Sequence, residues 1–164
     1  MIIIKDYRLE EKKPGLFYVR GREKVKCPHC AGGLKVVGSR KRTLYMQDAS
    51  KIYLMIRRMK CSQCGRLHHE LPDIAVPYKR YESSVIEAVL VSDSQDTPYY
   101  PCEQSTAVRV QNWFLKYSKK IENTLYKREK LYGELYKIQL PLYPLSRQPS
   151  GWLSVLIRDT ACQL

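Results

Sequence analysis

Two pairs of cysteines limit what this chain can fold into more than any other feature. Each pair has the spacing C-x2-C, one at Cys27 and Cys30 and the other at Cys61 and Cys64, with thirty residues between them. A two-residue gap lets both thiolates of a tight turn face one ion, and two such turns complete a tetrahedral sulfur shell. The sequence therefore predicts a structural zinc site (Zn²⁺) with these four cysteines as ligands, and an iron–sulfur cluster is the alternative.

Residues beside the pairs refine this prediction. Gly32-Gly33 and Gly65 follow the pairs, and we expect them to supply the positive φ that such turns need. His68 and His69 are close enough in sequence to replace a thiolate or to hydrogen-bond one. Because four thiolates already fill a tetrahedral site, the favoured interpretation is that both histidines are surface residues in a loop. The remaining cysteines are predicted to be small buried side chains: Cys102 and Cys162.

The interval between the pairs predicts a basic β-hairpin. It is rich in branched and aromatic residues, and Asp48-Ala49-Ser50 is the predicted tip. From Lys35 to Lys60 the chain has eight basic residues and one acidic residue, Asp48. A charge run can be a solvated face, but this excess favours contacts with phosphates. The predicted contact residues here are Arg40, Lys41, Arg42, Arg57 and Arg58.

The overall charge points the same way. The chain has 29 Lys and Arg against 16 Asp and Glu, a net charge of +13. Duplex DNA is the leading partner on this basis, with acidic proteins and membrane surfaces as alternatives. The longest apolar runs fall far short of the ~20 residues of a bilayer span. No signal peptide is visible at the start, so we expect a cytoplasmic bacterial protein with reduced thiols, nucleoid-associated when bound to DNA.

The second half of the chain predicts helices. Ser84 and Glu87 have capping-box spacing at the start of the first helix. Further helices are expected over residues 103–117, 118–138 and 152–161. On the first of these three, donors suited to guanine, adenine and phosphate share one face, although an ordinary polar helix face explains them equally well. These donors are Arg109, Asn112 and Lys116.

These patterns together predict an α+β fold. Residues 1–80 are expected to form an N-terminal zinc ribbon, a small antiparallel β-sheet with an N-terminal strand extension. Residues 81–164 are expected to form a helical region that is helix-turn-helix-like and includes a long helix and a C-terminal helix.

Several segments also carry a family resemblance. They are Cys27–Cys30, Arg57–Arg66, Leu71-Pro72, Pro77–Tyr81 and Val85–Val89. With these segments the chain resembles a zinc-ribbon domain of uncharacterised Gram-positive bacterial proteins. It is similar to the N-terminal zinc ribbon plus helix-turn-helix of insertion-sequence transposases over about residues 25–117. Ser105, Thr106 and Arg109 match the recognition helix of that family, whereas Val108 and Val110 depart from it.

The resemblance implies recognition of DNA without catalysis. In those transposases a separate domain with three carboxylates performs recombination, and no such carboxylate set can be assembled after residue 117. We therefore expect a non-catalytic DNA-binding protein for mobile-element recognition or transcriptional regulation. The alternatives are an RNA-binding module and an adaptor that docks onto a larger recombinase or polymerase. The adaptor would use three tyrosines as anchors, although packing against the ribbon or the last helix is the favoured interpretation of them: Tyr126, Tyr132 and Tyr136.

Overall fold

The computed structural model describes residues 1–92, 102–132, 142 and 144–160. Within these ranges the chain forms six strands, three α-helices and one short 3-10 helix. The strands are β1 (Ile2–Ile4), β2 (Tyr7–Lys13), β3 (Leu16–Gly21), β4 (Leu34–Tyr45), β5 (Lys51–Cys61) and β6 (Leu67–Pro72). The helices are α1 (Ser83–Val91), α2 (Gln104–Tyr132) and α3 (Trp152–Thr160), and the 3-10 helix is Leu145–Arg147.

The sheet is organised around β5. β4 pairs with it antiparallel along its whole length, and the two strands form the hairpin predicted between the cysteine pairs. β3 (parallel) and β6 (antiparallel) pair with β5 along its opposite edge. β2 extends the sheet antiparallel beside β3, and β1 pairs parallel with β6.

The mixed α+β class is confirmed, but the prediction of a small antiparallel sheet is wrong in part. Two of the five strand pairings are parallel, β1 with β6 and β3 with β5. Parallel strands need a long connection between them, and such a connection leaves no local turn signal in the sequence. The pairings of β1, β2 and β3 place the N-terminal strands in the same sheet as the hairpin.

Alternation along β5 separates the core from the exposed part of the sheet. Leu54 and Ile56 are at most 2% exposed and belong to one apolar cluster with the helices. Arg58 lies on the same face two residues further along, where it is exposed. The helices thus cover one end of this face and leave the end nearer the cysteines uncovered. Their main contributions to the cluster are Ile86, Val89, Ala107, Val110, Phe114, Ile121, Leu125, Trp152, Leu153, Leu156 and Ile157.

The prediction of separate helices over 103–117 and 118–138 is wrong, because α2 runs without a break over Gln104–Tyr132. No glycine or proline interrupts this segment, and its buried stripe continues from Phe114 to Ile121 and Leu125. Residues 133–138 lie outside the part of the chain that the structure describes. Among the described residues, none of the helices combines the length and the hydropathy that a bilayer span requires.

The predicted capping box does not form. α1 begins at Ser83, and its N-cap Glu82 makes no side-chain capping bond. The Glu87 carboxylate instead accepts hydrogen bonds from the backbone N–H of Gly151 (2.9 Å) and of Leu153 (3.2 Å). Glu87 therefore caps the start of α3. The helix α3 packs against the core through Trp152 and its buried neighbours.

Replacing Glu87 by alanine is expected to lower the free energy of unfolding by ~1–2 kcal/mol, because two N–H groups at the start of α3 lose their acceptor. Ser84→Ala is the matched control, since Ser84 is exposed on the same helix. We expect the control to stay within ~0.5 kcal/mol of the wild type. Urea unfolding measures both variants, and equal effects would contradict the capping role.

Candidate metal centre and basic surface

Each cysteine pair lies on a tight turn at one end of hairpin β4–β5. In the first turn the Ala31 N–H donates to the Cys27 carbonyl at 2.8 Å. In the second turn the Gly65 N–H donates to the Cys61 carbonyl at 3.1 Å. The turns are bridged by the backbone of Ser62, whose N–H donates to the Gly33 carbonyl at 2.9 Å. Two equivalent loops are thereby held face to face.

Positive φ occurs at the residue after each pair, at Ala31 (58°) and Gly65 (69°). The expectation for Gly65 is confirmed, but the expectation for Gly32-Gly33 is wrong. Gly32 has a different role, because a Cβ there would lie 3.0 Å from the Cys61 Sγ and 2.6 Å from the Gln63 Oε1. The first turn thus needs Gly32 for close approach to the second turn.

The two turns bring all four sulfur atoms together. The Sγ atoms of Cys27 and Cys64 are 3.6 Å apart, those of Cys30 and Cys61 are 3.5 Å apart, and all four lie within 4.8 Å of one another. Metal–sulfur bonds of about 2.3 Å in a tetrahedron place the sulfurs ~3.8 Å apart. The cluster therefore fits a tetrahedral metal ion. Four protein ligands would fill its coordination shell, as in structural rather than catalytic sites.

The turns also favour ionised sulfur at two positions. The backbone N–H groups of Cys64 and Gln63 lower the pKa of Cys61 to about 6. Burial raises the pKa of Cys27, but the N–H groups of the following turn outweigh it and the pKa is lowered. At Cys30 the N–H of Gly32 lowers the pKa, yet burial and the neighbouring sulfurs raise it to about 12. A bound divalent cation would favour the thiolate form of all four cysteines.

The interpretation of His68 and His69 as surface residues in a loop is wrong, because both lie in β6. His68 is 8% exposed, and its Nε2 lies 3.3 Å from the Cys27 Sγ. It is therefore placed to hydrogen-bond a sulfur of the candidate metal site rather than to replace one. His69 points to the opposite face of the sheet, as alternation requires. Cys102 is half-buried, and Cys162 lies outside the described residues.

Three of the basic residues predicted to contact phosphates are exposed on the hairpin. Arg40 pairs with Ile56 across the strands, so it lies on the face that carries Arg58. Lys41 lies on the other face, with its Nζ 3.8 Å from the centre of the Tyr53 ring. The hairpin thus presents positive charge on both faces instead of one.

Two further predicted contacts, Arg42 and Arg57, are held by the protein itself. The Arg42 guanidinium donates to the carbonyls of Val76 and Lys79, both at 2.6 Å. The Arg57 guanidinium binds both carboxylate oxygens of Glu70, at 2.6 and 2.7 Å, and Glu70 is 0% exposed. Both guanidinium groups are therefore already hydrogen-bonded within the protein.

Sequence reasoning missed Glu70 as the partner of Arg57. The sequence signal for a buried Glu70 was its place directly before the apolar pair Leu71-Pro72 in a strand-like segment. A charged residue at such a position is buried only when it is paired. The partner could not be named from the sequence, because the register of β5 with β6 depends on the geometry of the second cysteine turn that joins them.

The three residues predicted on α2 share its exposed side. Arg109, Asn112 and Lys116 are all exposed, and the buried stripe of Ala107, Val110 and Phe114 faces the core. Gln111 is also of a residue type that can hydrogen-bond the edges of DNA bases. Its side-chain amide donates to the Val89 carbonyl at 3.4 Å, so it links α2 to α1.

Residues 27–110 match the model of a protein family described as a domain of unknown function, DUF6431. The matched segment begins at the first cysteine of the candidate centre and ends on α2, and it covers just over half of the chain. A search of curated proteins and a search of solved structures each found no match. The chain, with all four cysteines inside the matched segment, belongs to the DUF6431 family of domains of unknown function.

Proposed function

We propose that this chain is a zinc-binding, non-catalytic protein that binds duplex DNA, and that the metal has a structural role. The observation that carries the proposal is the position of the sulfur cluster. It closes one end of a long hairpin that carries exposed basic residues on both faces. A chain with a net charge of +13 has an excess of positive charge suited to a polyanion.

Zinc is the metal that suits this cluster best. Four thiolates in a tetrahedron bind zinc or iron, and a closed site built from two C-x2-C turns is typical of structural zinc. Binding of such an ion contributes on the order of 10–16 kcal/mol to folding. That contribution would hold the end of the hairpin where β4 is mostly exposed and little core is available.

The DNA-binding surface that we propose has two parts. Arg40, Lys41 and Arg58 on the hairpin supply phosphate contacts, which give most of the affinity. On α2, Arg109 and Asn112 are exposed donors of the kind that bind guanine and adenine edges, and Lys116 suits phosphate. α1 and α2 pack against each other. We propose that they act as a helix-turn-helix-like element in the recognition of mobile-element ends or of a promoter.

Binding to duplex DNA is expected to weaken steeply with salt. If about six phosphates are neutralised, the slope of log affinity against log salt is near −5. Fluorescence anisotropy of a labelled duplex over a salt series measures this slope, and a parallel series contains a zinc chelator. We expect the chelator to abolish binding. A slope near zero would contradict the proposal.

A second candidate function is docking onto a larger recombinase or polymerase. Apolar side chains on α2 are exposed, namely Val108 (47%), Leu115 (59%) and Tyr126 (44%). Tyr136 and the side chain of Tyr132 lie outside what the structure describes. Co-purification of a partner, with no retention of DNA at moderate salt, would favour this function. Competition among duplex DNA, single strands and RNA separates RNA binding from both.

A further inference from the structure

A groove with a basic lining lies between the sheet and the turn that follows β6. Its volume is about 620 Å³. The basic residues that line it are Arg40, Lys41, Arg42, His69, Lys79 and Arg80, and the side chain of Lys41 among them points to the other face of the hairpin. Among the residues described, no carboxylate lines this groove. We call this feature the basic groove.

Strand register explains why these residues meet. Arg40 and Arg42 pair with Ile56 and Leu54 and so share their face of the sheet. His69 pairs with Arg58 across β5 and β6, on the same face. Arg42 then fixes the opposite wall, because it donates to two carbonyls of the turn over residues 76–79. The groove is therefore built by the fold.

The turn in that wall has an unfavourable residue at its third position. The Lys79 N–H donates to the Val76 carbonyl at 3.1 Å, Pro77 follows Val76, and Tyr78 has a φ of 63°. This is the pattern of a type II turn, which favours glycine where Tyr78 lies. The Tyr78 side chain is 78% exposed, so packing does not compensate for the strain. Strain of this kind is concentrated at functional sites.

The groove is electropositive, and its charges are not neutralised within the described chain. No ion pair links a described carboxylate to Arg40, Arg58 or Arg80. Partial burial, followed by the charges of Arg40 and Arg58, lowers the pKa of His69. An anion entering the groove would meet several donors and no repelling carboxylate.

Lys79, which lines the basic groove, also contacts α2. The Lys79 Nζ lies 4.4 Å from the centre of the Trp113 ring. Arg109 and Lys116 are four residues before and three residues after Trp113, so they flank it on the helix surface. A phosphate chain in the groove could therefore extend to the proposed DNA-reading face of α2.

We propose that the basic groove binds phosphate groups. Arg40 and Arg80 supply the charge, and the hydroxyl of Tyr78 donates a further hydrogen bond. Arg42 is a positioning residue that holds the turn. The inference that this phosphate belongs to a DNA backbone rests on the proposed function, whereas the inference that the groove binds phosphate does not.

The test compares two double variants that remove the same charge. Arg40→Ser with Arg80→Ser changes the groove, and Lys12→Ser with Lys13→Ser changes β2 at the far edge of the sheet. All four side chains are exposed, and thermal melting checks that both variants fold. The readout is anisotropy of a labelled duplex over a salt series. At about 0.1 M salt, losing two phosphate contacts lowers affinity on the order of 50-fold and reduces the salt slope by about 2.

We expect the β2 variant to change affinity by less than about threefold, because its two lysines lie away from the groove and make none of the proposed phosphate contacts. If the wild type binds DNA and the groove variant binds equally well, the groove inference is overturned while the proposed function stands. Tyr78→Gly is a second variant, because glycine suits the positive φ. It should melt no lower than the wild type and yet bind DNA several-fold more weakly.

A titration with inorganic pyrophosphate separates the groove from the source of its phosphate. The readout is the NMR signal of the His69 ring. We expect it to shift in the wild type and not in the groove variant. Should the wild type bind pyrophosphate in this way but no DNA, the proposed function fails and the groove stands as a site for a free phosphate compound. If the wild type binds no DNA and its His69 signal does not shift with pyrophosphate, the groove inference is overturned as well.

Discussion

Replacing Cys61 by serine is expected to abolish metal binding, unfold the cysteine end of hairpin β4–β5 and abolish DNA binding together. A serine hydroxyl is not ionised near neutral pH and does not replace a thiolate in a structural site. The remaining three sulfurs leave the shell incomplete, so most of the ~10–16 kcal/mol that metal binding contributes to folding is lost. Cys61 also ends β5 and pairs with Leu34 at the start of β4, so the damage spreads into the hairpin.

Cys102→Ser is the matched control, because Cys102 is half-buried and belongs to no cysteine cluster in the described chain. The control should keep its metal, its melting temperature within a few degrees and its affinity for DNA. Metal content, thermal melting and anisotropy are measured on all three proteins. A Cys61→Ser protein that stays folded and keeps its metal would show that Cys61 is not a ligand.

Replacing Arg57 by alanine is expected to lower the free energy of unfolding by ~3–5 kcal/mol, because it leaves the Glu70 carboxylate buried without its partner. Glu70 is 0% exposed, and both of its oxygens accept hydrogen bonds from Arg57. The pair joins β5 to β6 beside the second cysteine turn. Chemical denaturation in urea measures the loss.

The neighbouring Arg58→Ala is the control on the same strand, since Arg58 is exposed and forms no ion pair with a described carboxylate. Its stability should stay within ~0.5 kcal/mol of the wild type. DNA affinity should show the opposite pattern to stability. It should fall for Arg58→Ala, and for the folded fraction of Arg57→Ala it should stay near that of the wild type. Equal stability of the two variants would mean that the Arg57–Glu70 pair does not support the fold.

The features that sequence reasoning predicted correctly are local ones. The four cysteines could be grouped because a C-x2-C turn positions two sulfurs without help from the rest of the chain. The hairpin could be predicted because its strands are adjacent in sequence and share a tip. The burial of Trp152, Leu153, Leu156 and Ile157 followed from helical periodicity.

The features it missed depend on contacts between distant segments. The parallel pairing of β3 with β5 and the capping of α3 by Glu87 join residues more than thirty positions apart. Charge counting treated all the arginines of the hairpin alike, although burial separates Arg42 and Arg57 from Arg40 and Arg58. Only the fold shows which guanidinium groups are already bound to the protein. The strain at Tyr78 likewise appears only in the backbone.

Native mass spectrometry of the protein, purified under reducing conditions and supplied with Zn²⁺, tests whether the four cysteines hold a structural zinc ion. We expect one zinc ion per folded chain, and we expect a chelator to remove both the zinc and the compact charge states. A compact chain that carries no metal ion, or one that stays compact after the metal is removed, would contradict it.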